Sequence, residues 1–158
     1  MFPAQTVIVP VDFSPCALAA LYYAVAVAEP QGGSIHLIHV VNPAATGLAA
    51  SEALSSEVAE CFRDRLAALS EPLVSRGLRV SPHTLVGQID DEILTAAHRY
   101  GADLIVMGTH GRAGWGHVAL GSIAERIVRR AECPVLTVKD RRMLDRLDLE
   151  VSADEVSN

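Results

Sequence analysis

Five of the chain's eleven glycines fall within fourteen residues, from Gly108 to Gly121. Glycine permits positive φ angles and close approach of a ligand to the main chain, and successive exposed amides can form a nest for an anion. The segment ends at Gly121-Ser122, where a helix is predicted to begin, and a helix N-terminus attracts phosphate through its unpaired amides and its dipole. The pattern indicates a phosphate-binding loop, to which Arg112 would add a positive charge.

The same glycines also have a purely structural interpretation, in which they form tight turns and Ser122 caps the helix that follows. Neither standard phosphate fingerprint is present: the chain has no G-x-x-x-x-G-K-[S/T] and no G-x-G-x-x-G after its first predicted strand. A P-loop NTPase is therefore disfavoured. From the residues alone, both interpretations of the loop stay open.

A second candidate segment, Pro10-Val11-Asp12-Phe13-Ser14, follows the first apolar run of the chain. Asp12 could contact a ligand there, or it could simply fix the turn or cap the next helix. Ser14 is a good N-cap residue, and Pro15 suits the first position of a helix. The segment is thus predicted to be a turn between a strand and a helix.

Strands and helices alternate along the chain around these two segments. Short apolar runs predict five strands, at Thr6–Val11, Ser34–Val41, Arg79–Val86, Asp103–Gly108 and Pro134–Val138. Helical patterns predict helices at Cys16–Ala28, Ser51–Ser75 and Ser122–Arg130, and Gly87–Asp90 is predicted to lead into a further helix that ends near Tyr100. Asn42–Ala50 is predicted to be a loop. Alternation with continuously apolar strands predicts an α/β fold, an open doubly wound parallel sheet with helices on both faces.

The predicted sheet places both candidate segments where a ligand is expected. Ligands of open parallel sheets bind outside the carboxyl ends of the strands, where the strand order reverses. The candidate segments follow the first and fourth predicted strands. Pro82 lies inside the third strand, which we therefore expect at a sheet edge, because proline cannot donate a ladder hydrogen bond.

Composition excludes several classes of protein. The 158 residues suit a single domain, predicted at 1–140, followed by a charged tail at 141–158. A net charge of −6 and 4% aromatic residues disfavour a nucleic-acid binder. The longest apolar stretch, Cys16–Ala28, is too short to span a bilayer, and no signal peptide is recognisable, so we expect no membrane association. Three cysteines without a C-x-x-C motif indicate reduced thiols in a cytoplasmic protein rather than a zinc site or disulfides.

The remaining polar residues in the predicted elements are interpreted as structural. His39 lies on a buried strand and is expected to be a hydrogen-bonded core histidine, while His36 and His83 show no spacing that suggests a metal site. The last predicted helix carries three arginines that are expected to form a solvated face near its C-terminus, Arg126, Arg129 and Arg130. No G-x-S-x-G elbow or dense carboxylate cluster is present, so the sequence predicts no catalytic residues.

Several segments together resemble the universal stress protein family. Gly108-x2-Gly111-x9-Gly121-Ser122 resembles that family's nucleotide-binding signature. Other segments resemble its strands and its last helix, at Val9–Ser14, Leu37–Val40, Asp103–Gly108, Ser122–Arg126 and Cys133–Leu136. The resemblance spans about residues 4–139. It implies five parallel strands in the order 3-2-1-4-5, with the reversal between strands 1 and 4.

The family includes members that bind ATP and members that do not, and the intact glycine signature implies the ATP-binding group. The resemblance implies that Asp12 lies near the ribose and adenine, and that the purine slot is lined by Pro10, Val11, Val40 and Met107. It implies that ribose and phosphates meet Gly108, Gly111, Gly121, Ser122 and Ile123, with Arg112 at a position that varies in the family. Mg²⁺ or Mn²⁺ would be held by the phosphates of ATP. A homodimer through the fifth strand is also implied, with the alternative that the tail beyond Lys139 covers that edge of the sheet.

The expected function is therefore that of an ATP-binding stress-response regulator with, at most, slow ATP hydrolysis. One alternative is a dimeric interaction protein of the same fold that binds no nucleotide. A second is an enzyme of a related α/β class, such as an ATP pyrophosphatase. That class would need a glycine- and serine-rich phosphate loop directly after the first strand, where this chain has Asp12-Phe13-Ser14-Pro15.

Overall fold

The computed structural model describes residues 4–46, 52–109 and 120–139. The elements in chain order are β1 (Thr6–Pro10), α1 (Pro15–Ala28), β2 (Ser34–Val41), α2 (Pro43–Thr46), α3 (Glu52–Ser75), β3 (Arg79–Val86), α4 (Ile89–Tyr100), β4 (Leu104–Gly108), α5 (Ser122–Arg130) and β5 (Val135–Val138). A single 3₁₀ turn at Glu29–Gln31 follows α1. The predicted tail at 141–158 lies outside the described residues.

The five strands form one parallel sheet in the order β3-β2-β1-β4-β5. The predicted α/β class and strand order are confirmed. β1 pairs with β2 on one side and with β4 on the other, so the chain reverses its winding direction between β1 and β4. β3 lies at an edge, as the position of Pro82 predicted.

Helices cover both faces of the sheet. One apolar cluster joins α1 and α3 to the sheet through residues such as Leu21, Leu66 and Leu73. A second cluster, on the opposite face, joins α4 and α5 to the sheet through Ile93 and Ile127. This burial of apolar area on two faces is the main stabilising contribution of the fold. No helix within the described ranges is long and apolar enough to cross a membrane.

The turn between β1 and α1 forms as its sequence predicts. The Ser14 hydroxyl accepts a hydrogen bond of 3.2 Å from the Ala17 amide, and Pro15 occupies the first helical position. The first turn of α1 then lies directly against the end of β4. A Cβ atom on Gly108 would lie 2.9 Å from the carbonyl carbon and Cβ of Cys16, so only glycine fits at the end of β4.

The segment after β2 differs from the sequence-based expectation. Part of the predicted loop at Asn42–Ala50 forms the helical turn α2. The Asn42 side-chain oxygen accepts a 3.0 Å hydrogen bond from the Ala44 amide, which satisfies one of the unpaired donors at the start of that turn. Pro43 occupies its first position, where a missing amide hydrogen costs little. The predicted loop was therefore wrong for Pro43–Thr46.

Candidate functional site

The carboxyl ends of β1 and β4 lie side by side at the strand reversal, with the start of α5 beside them. The backbone connects these parts directly, because the Gly121 amide donates a 2.8 Å hydrogen bond to the Thr109 carbonyl oxygen. Most of the predicted site residues lie on these segments or on neighbouring β2: Pro10, Val11, Asp12, Val40, Met107, Gly108, Gly121, Ser122 and Ile123. Gly111 and Arg112 lie outside the described residues.

Two residues of the predicted purine slot, Val40 and Met107, and one of the predicted ribose and phosphate site, Ile123, contact one apolar cluster. Met107 is a buried member of the cluster beneath α4 and α5, and Val40 and Ile123 are partly buried against it. Leu120 also packs there and was missed by the sequence analysis. Its position just before Gly121 and Ser122 could have indicated it, because the residue that precedes a helix N-terminus commonly packs under the first turn.

Val11 faces the other side of the sheet. Its side chain is 3% exposed and belongs to the cluster beneath α1 and α3, together with Val9 and Phe13. The period of two along a strand places Val9 and Val11 on the same face. By the same alternation, Pro10 lies on the same face of the sheet as Ile8. Ile8 belongs to the apolar cluster that contains Met107. Only the main chain of Val11 therefore borders the side on which Val40 and Met107 lie.

Asp12 fixes the turn that follows β1. Its Oδ1 atom accepts a 3.0 Å hydrogen bond from the Ser14 amide. Phe13 between them has φ of 61°, a left-handed conformation that costs energy for a residue with a side chain. The turn-fixing interpretation of Asp12 is confirmed. A carboxylate has about four acceptor positions, so this bond is compatible with a contact to a ligand as well.

The buried His39 side chain stabilises this strained turn. Its Nδ1 atom lies 2.7 Å from the Val11 carbonyl oxygen, so Nδ1 carries the hydrogen and donates it. The imidazole ring packs against Phe62 at 4.0 Å and Phe13 at 5.1 Å between centroids, and the Arg65 guanidinium lies 4.1 Å above the Phe13 ring. The prediction of a hydrogen-bonded core histidine is confirmed, and the Phe13 ring is anchored by the same contacts.

Among the residues that the structure describes, the N-terminus of α5 carries no side-chain cap. Gly121 is the N-cap residue, no described side chain accepts from the first turn, and Ser122 is the first helical residue. The structural interpretation in which Ser122 caps α5 is therefore wrong. The first-turn amides of a helix lack carbonyl partners within the helix, and here they lie beside the ends of β1 and β4. Such a terminus stabilises a bound anion through its amides and its dipole.

The arginines of α5 are not a simple solvated face. Arg126 and Arg130 each donate to Oδ2 of Asp90, at 2.9 and 3.0 Å, and the Asp90 side chain is only 4% exposed. Burial alone would raise the pKa of the Asp90 carboxyl, but the hydrogen bond and charge of Arg126 and the charge of Arg130 hold that pKa below its ordinary value. Arg126 and Arg130 therefore join α5 to the first turn of α4, which corrects the prediction for both. Arg129 is exposed and pairs only with Glu125 of its own helix among the described residues.

A separate groove of about 680 Å³ lies between α4 and the segment that joins α5 to β5. Its lining includes Leu94, His98, Ala102, Arg130 and Cys133. Burial raises the pKa of the Cys133 thiol, which keeps the thiol protonated. Ala102 and Cys133 lie two positions before the first residues of β4 and β5, so the groove is at the amino ends of these strands. It is thus distant from the strand reversal, where ligands of this fold class bind.

The fold and the site define an α/β protein with a candidate ligand cleft at the strand reversal of its sheet. A family model described as "Universal stress protein family" matches residues 3–139. The chain belongs to the universal stress protein family.

Comparisons with individual proteins agree with this assignment. The chain is 34% identical to universal stress protein MJ0531 of Methanocaldococcus jannaschii over 139 residues, which cover 85% of this chain and 82% of the relative. The solved structure of protein MJ0577 is similar, with a TM-score of 0.78 and 27% identity, covering 87% of this chain and 96% of that one. The structure of a universal stress protein from Archaeoglobus fulgidus in complex with dAMP has a TM-score of 0.62 over 88% of this chain and 100% of that one. At 22% sequence identity, this similarity shows a shared fold and nothing beyond it.

Proposed function

We propose that this protein binds ATP at the carboxyl ends of β1 and β4 and acts as a nucleotide-responsive stress regulator. The observation that carries the proposal is the uncapped N-terminus of α5 beside the apolar side chains of Met107, Val40 and Ile123. A purine base needs a narrow apolar slot, and a polyphosphate needs unpaired amides. The apolar side chains of Val40, Met107 and Ile123 and the first-turn amides of α5 support the proposal on both counts.

In this proposal, the phosphates bind at the first turn of α5, where the exposed Ser122 hydroxyl adds a donor. Gly111 and Arg112 belong to the same proposed phosphate site on the strength of the sequence. Mg²⁺ or Mn²⁺ would be held by the phosphates themselves. The family membership supports the nucleotide class, since solved universal stress proteins include one in complex with cAMP and one in complex with dAMP.

We also propose that two copies of the chain associate through β5. Among the described strands, β5 pairs with β4 alone, and Leu136 on β5 and Val128 on α5 are 38% and 46% exposed. A sheet edge with exposed apolar side chains favours pairing with a second copy. A cytoplasmic location belongs to the same proposal, because none of Cys16, Cys61 and Cys133 forms a disulfide and reduced cysteines are typical of that compartment.

The proposal is tested by isothermal titration of nucleotide-free protein with ATP, AMP, cyclic AMP and GTP, in the presence and absence of Mg²⁺. We expect one ATP per chain and weak or absent binding of GTP. A parallel assay heats purified protein and identifies adenine nucleotide in the supernatant.

Sedimentation of the same samples measures self-association. A dimer that binds none of the four nucleotides would contradict the proposal. It would instead support the dimeric interaction protein that the sequence left as an alternative.

A further inference from the structure

Two histidines that are distant in sequence meet across β2 and β3. The Nδ1 atom of His36 lies 3.0 Å from the Nε2 atom of His83, although 47 positions separate them. In the parallel register, His36 lies opposite Ser81 and His83 lies opposite Ile38, so the two histidines are diagonal neighbours. The alternation of each strand places both side chains on the face that α4 and α5 cover.

Tyr100, the last residue of α4, packs against both histidine rings. The Tyr100 ring lies against the His36 ring at 4.3 Å between centroids and against the His83 ring at 4.8 Å. The Tyr100 hydroxyl is 3.3 Å from Nδ1 of His83, the nitrogen that does not face His36. Burial lowers the pKa of both histidines, and for His36 the neighbouring His83 lowers it further. Neutral imidazole is the form of histidine that binds a metal ion.

We propose that His36 and His83 form a binding site for a divalent transition-metal ion that prefers imidazole and square-planar or octahedral geometry, namely Cu²⁺ or Ni²⁺. Imidazole nitrogens suit these ions as ligands. Two nitrogens 3.0 Å apart that both bind a metal at about 2.05 Å enclose an angle of about 94° at the metal. That angle is close to the 90° of square-planar and octahedral sites and well below the roughly 109° of tetrahedral zinc.

Tyr100 orients one of the two ligands. When Nδ1–H of His83 donates to the Tyr100 oxygen, Nε2 of His83 keeps its lone pair for the metal. The His36 hydrogen between the two rings moves from Nδ1 to Nε2 by exchange with water as the metal binds, so His36 stays neutral and its Nδ1 lone pair becomes available to the metal. Within the described residues, no group of three or more His, Cys, Asp or Glu side chains could hold a metal ion, so water completes the coordination.

The site is tested by calorimetric titration of nucleotide-free protein with Cu²⁺ in a weakly coordinating buffer. We expect one equivalent to bind, and His36→Asn and His83→Asn each to weaken binding by at least tenfold. The matched control is His98→Asn, because His98 is an exposed histidine on α4 that faces Glu132 rather than this pair. That control is expected to bind Cu²⁺ as tightly as the unaltered protein.

A second measurement uses the unaltered protein and so does not depend on whether the variants fold. Substoichiometric Cu²⁺ broadens the NMR signals of nearby amides, and we expect the broadening to centre on β2, β3 and Tyr100. Broadening centred elsewhere would overturn the proposal, as would variants at His36 and His83 that fold and bind Cu²⁺ like the control. Neither result depends on nucleotide binding, so this site and the proposed function are tested independently.

Discussion

The Thr109 carbonyl oxygen accepts a 2.8 Å hydrogen bond from the Gly121 amide, and the Thr109 amide donates in turn to the Val138 carbonyl at 3.0 Å. These two bonds place the N-cap of α5 at the end of β4 and tie both to β5. They also occupy the Gly121 amide, so the amides offered to a ligand belong to the first turn that follows it. The position of Gly121 is thus determined by the sheet.

Gly121→Ala should weaken ATP binding more than tenfold while leaving the protein folded. The glycine has φ of −70° and ψ of 153°, which alanine adopts without strain, so the change adds a methyl group beside the proposed phosphate site at a cost in stability of about 1 kcal/mol or less. Ser122→Ala removes one hydroxyl donor and should reduce affinity by about tenfold or less. Titration calorimetry and thermal melting distinguish the two effects. Unchanged ATP affinity in folded Gly121→Ala protein would argue against the proposed site.

Asp90→Asn should destabilise the fold by about 1–3 kcal/mol, because it removes the buried charge that Arg126 and Arg130 share. The side chains of Arg126 and Arg130 are 42% and 50% exposed, so water can solvate both guanidinium groups in the variant. The loss of stability therefore stays below that expected for a fully buried ion pair. Asp91→Asn is the matched control. Its carboxylate is 54% exposed and, within the described residues, forms an ion pair with Arg130 alone, so we expect a loss of at most about 1 kcal/mol. Urea unfolding at pH 7 measures both, and equal losses would contradict the role given to Asp90.

Gly108→Ala should destabilise the fold by about 1–3 kcal/mol through overpacking. The added methyl group would lie 2.9 Å from the Cys16 backbone and 3.1 Å from the Ala17 amide nitrogen, and neither atom is on a flexible side chain. Gly32→Ala is a useful comparison, since its added methyl meets no atom within 4 Å and only its φ of 62° is unfavourable. Chemical unfolding measures both variants. If Gly108→Ala protein were as stable as the unaltered protein, α1 would be able to move away from β4, contrary to this prediction.

Stability should fall between pH 7.5 and pH 5.5. The folded state lowers the pKa of His36 and His83 below the ordinary 6.5, so it binds fewer protons than the unfolded chain. Their contribution is fully present above pH 6.5 and is lost as the pH falls from 6.5 towards the folded-state pKa values. The midpoint of urea unfolding, measured at pH 7.5 and at pH 5.5, checks this prediction. His83→Asn removes one histidine and the neighbour of the other, so it should flatten the pH dependence; an unchanged slope would refute the assignment.

The strands and most helices could be predicted because their signals are local. Each strand is a short apolar run, and the N-cap at Ser14 followed by Pro15 specifies the start of α1 within two residues. The strand order came from the family resemblance and was confirmed. The exception was α2, where the Asn42 side chain stabilises a helical turn within a segment whose small residues had indicated a loop.

The sequence by itself determined the fold class, the two segments at the strand reversal and the core role of His39. The pairs His36–His83 and Asp90–Arg126 were decided only by the tertiary structure. Their members are 47 and 36 positions apart, and no periodicity within one element reports on such contacts. The sheet register and the packing of α5 on α4 bring them together, because burial of apolar area on both faces sets where each strand and helix lies. The chemistry of those polar pairs is a consequence of that packing.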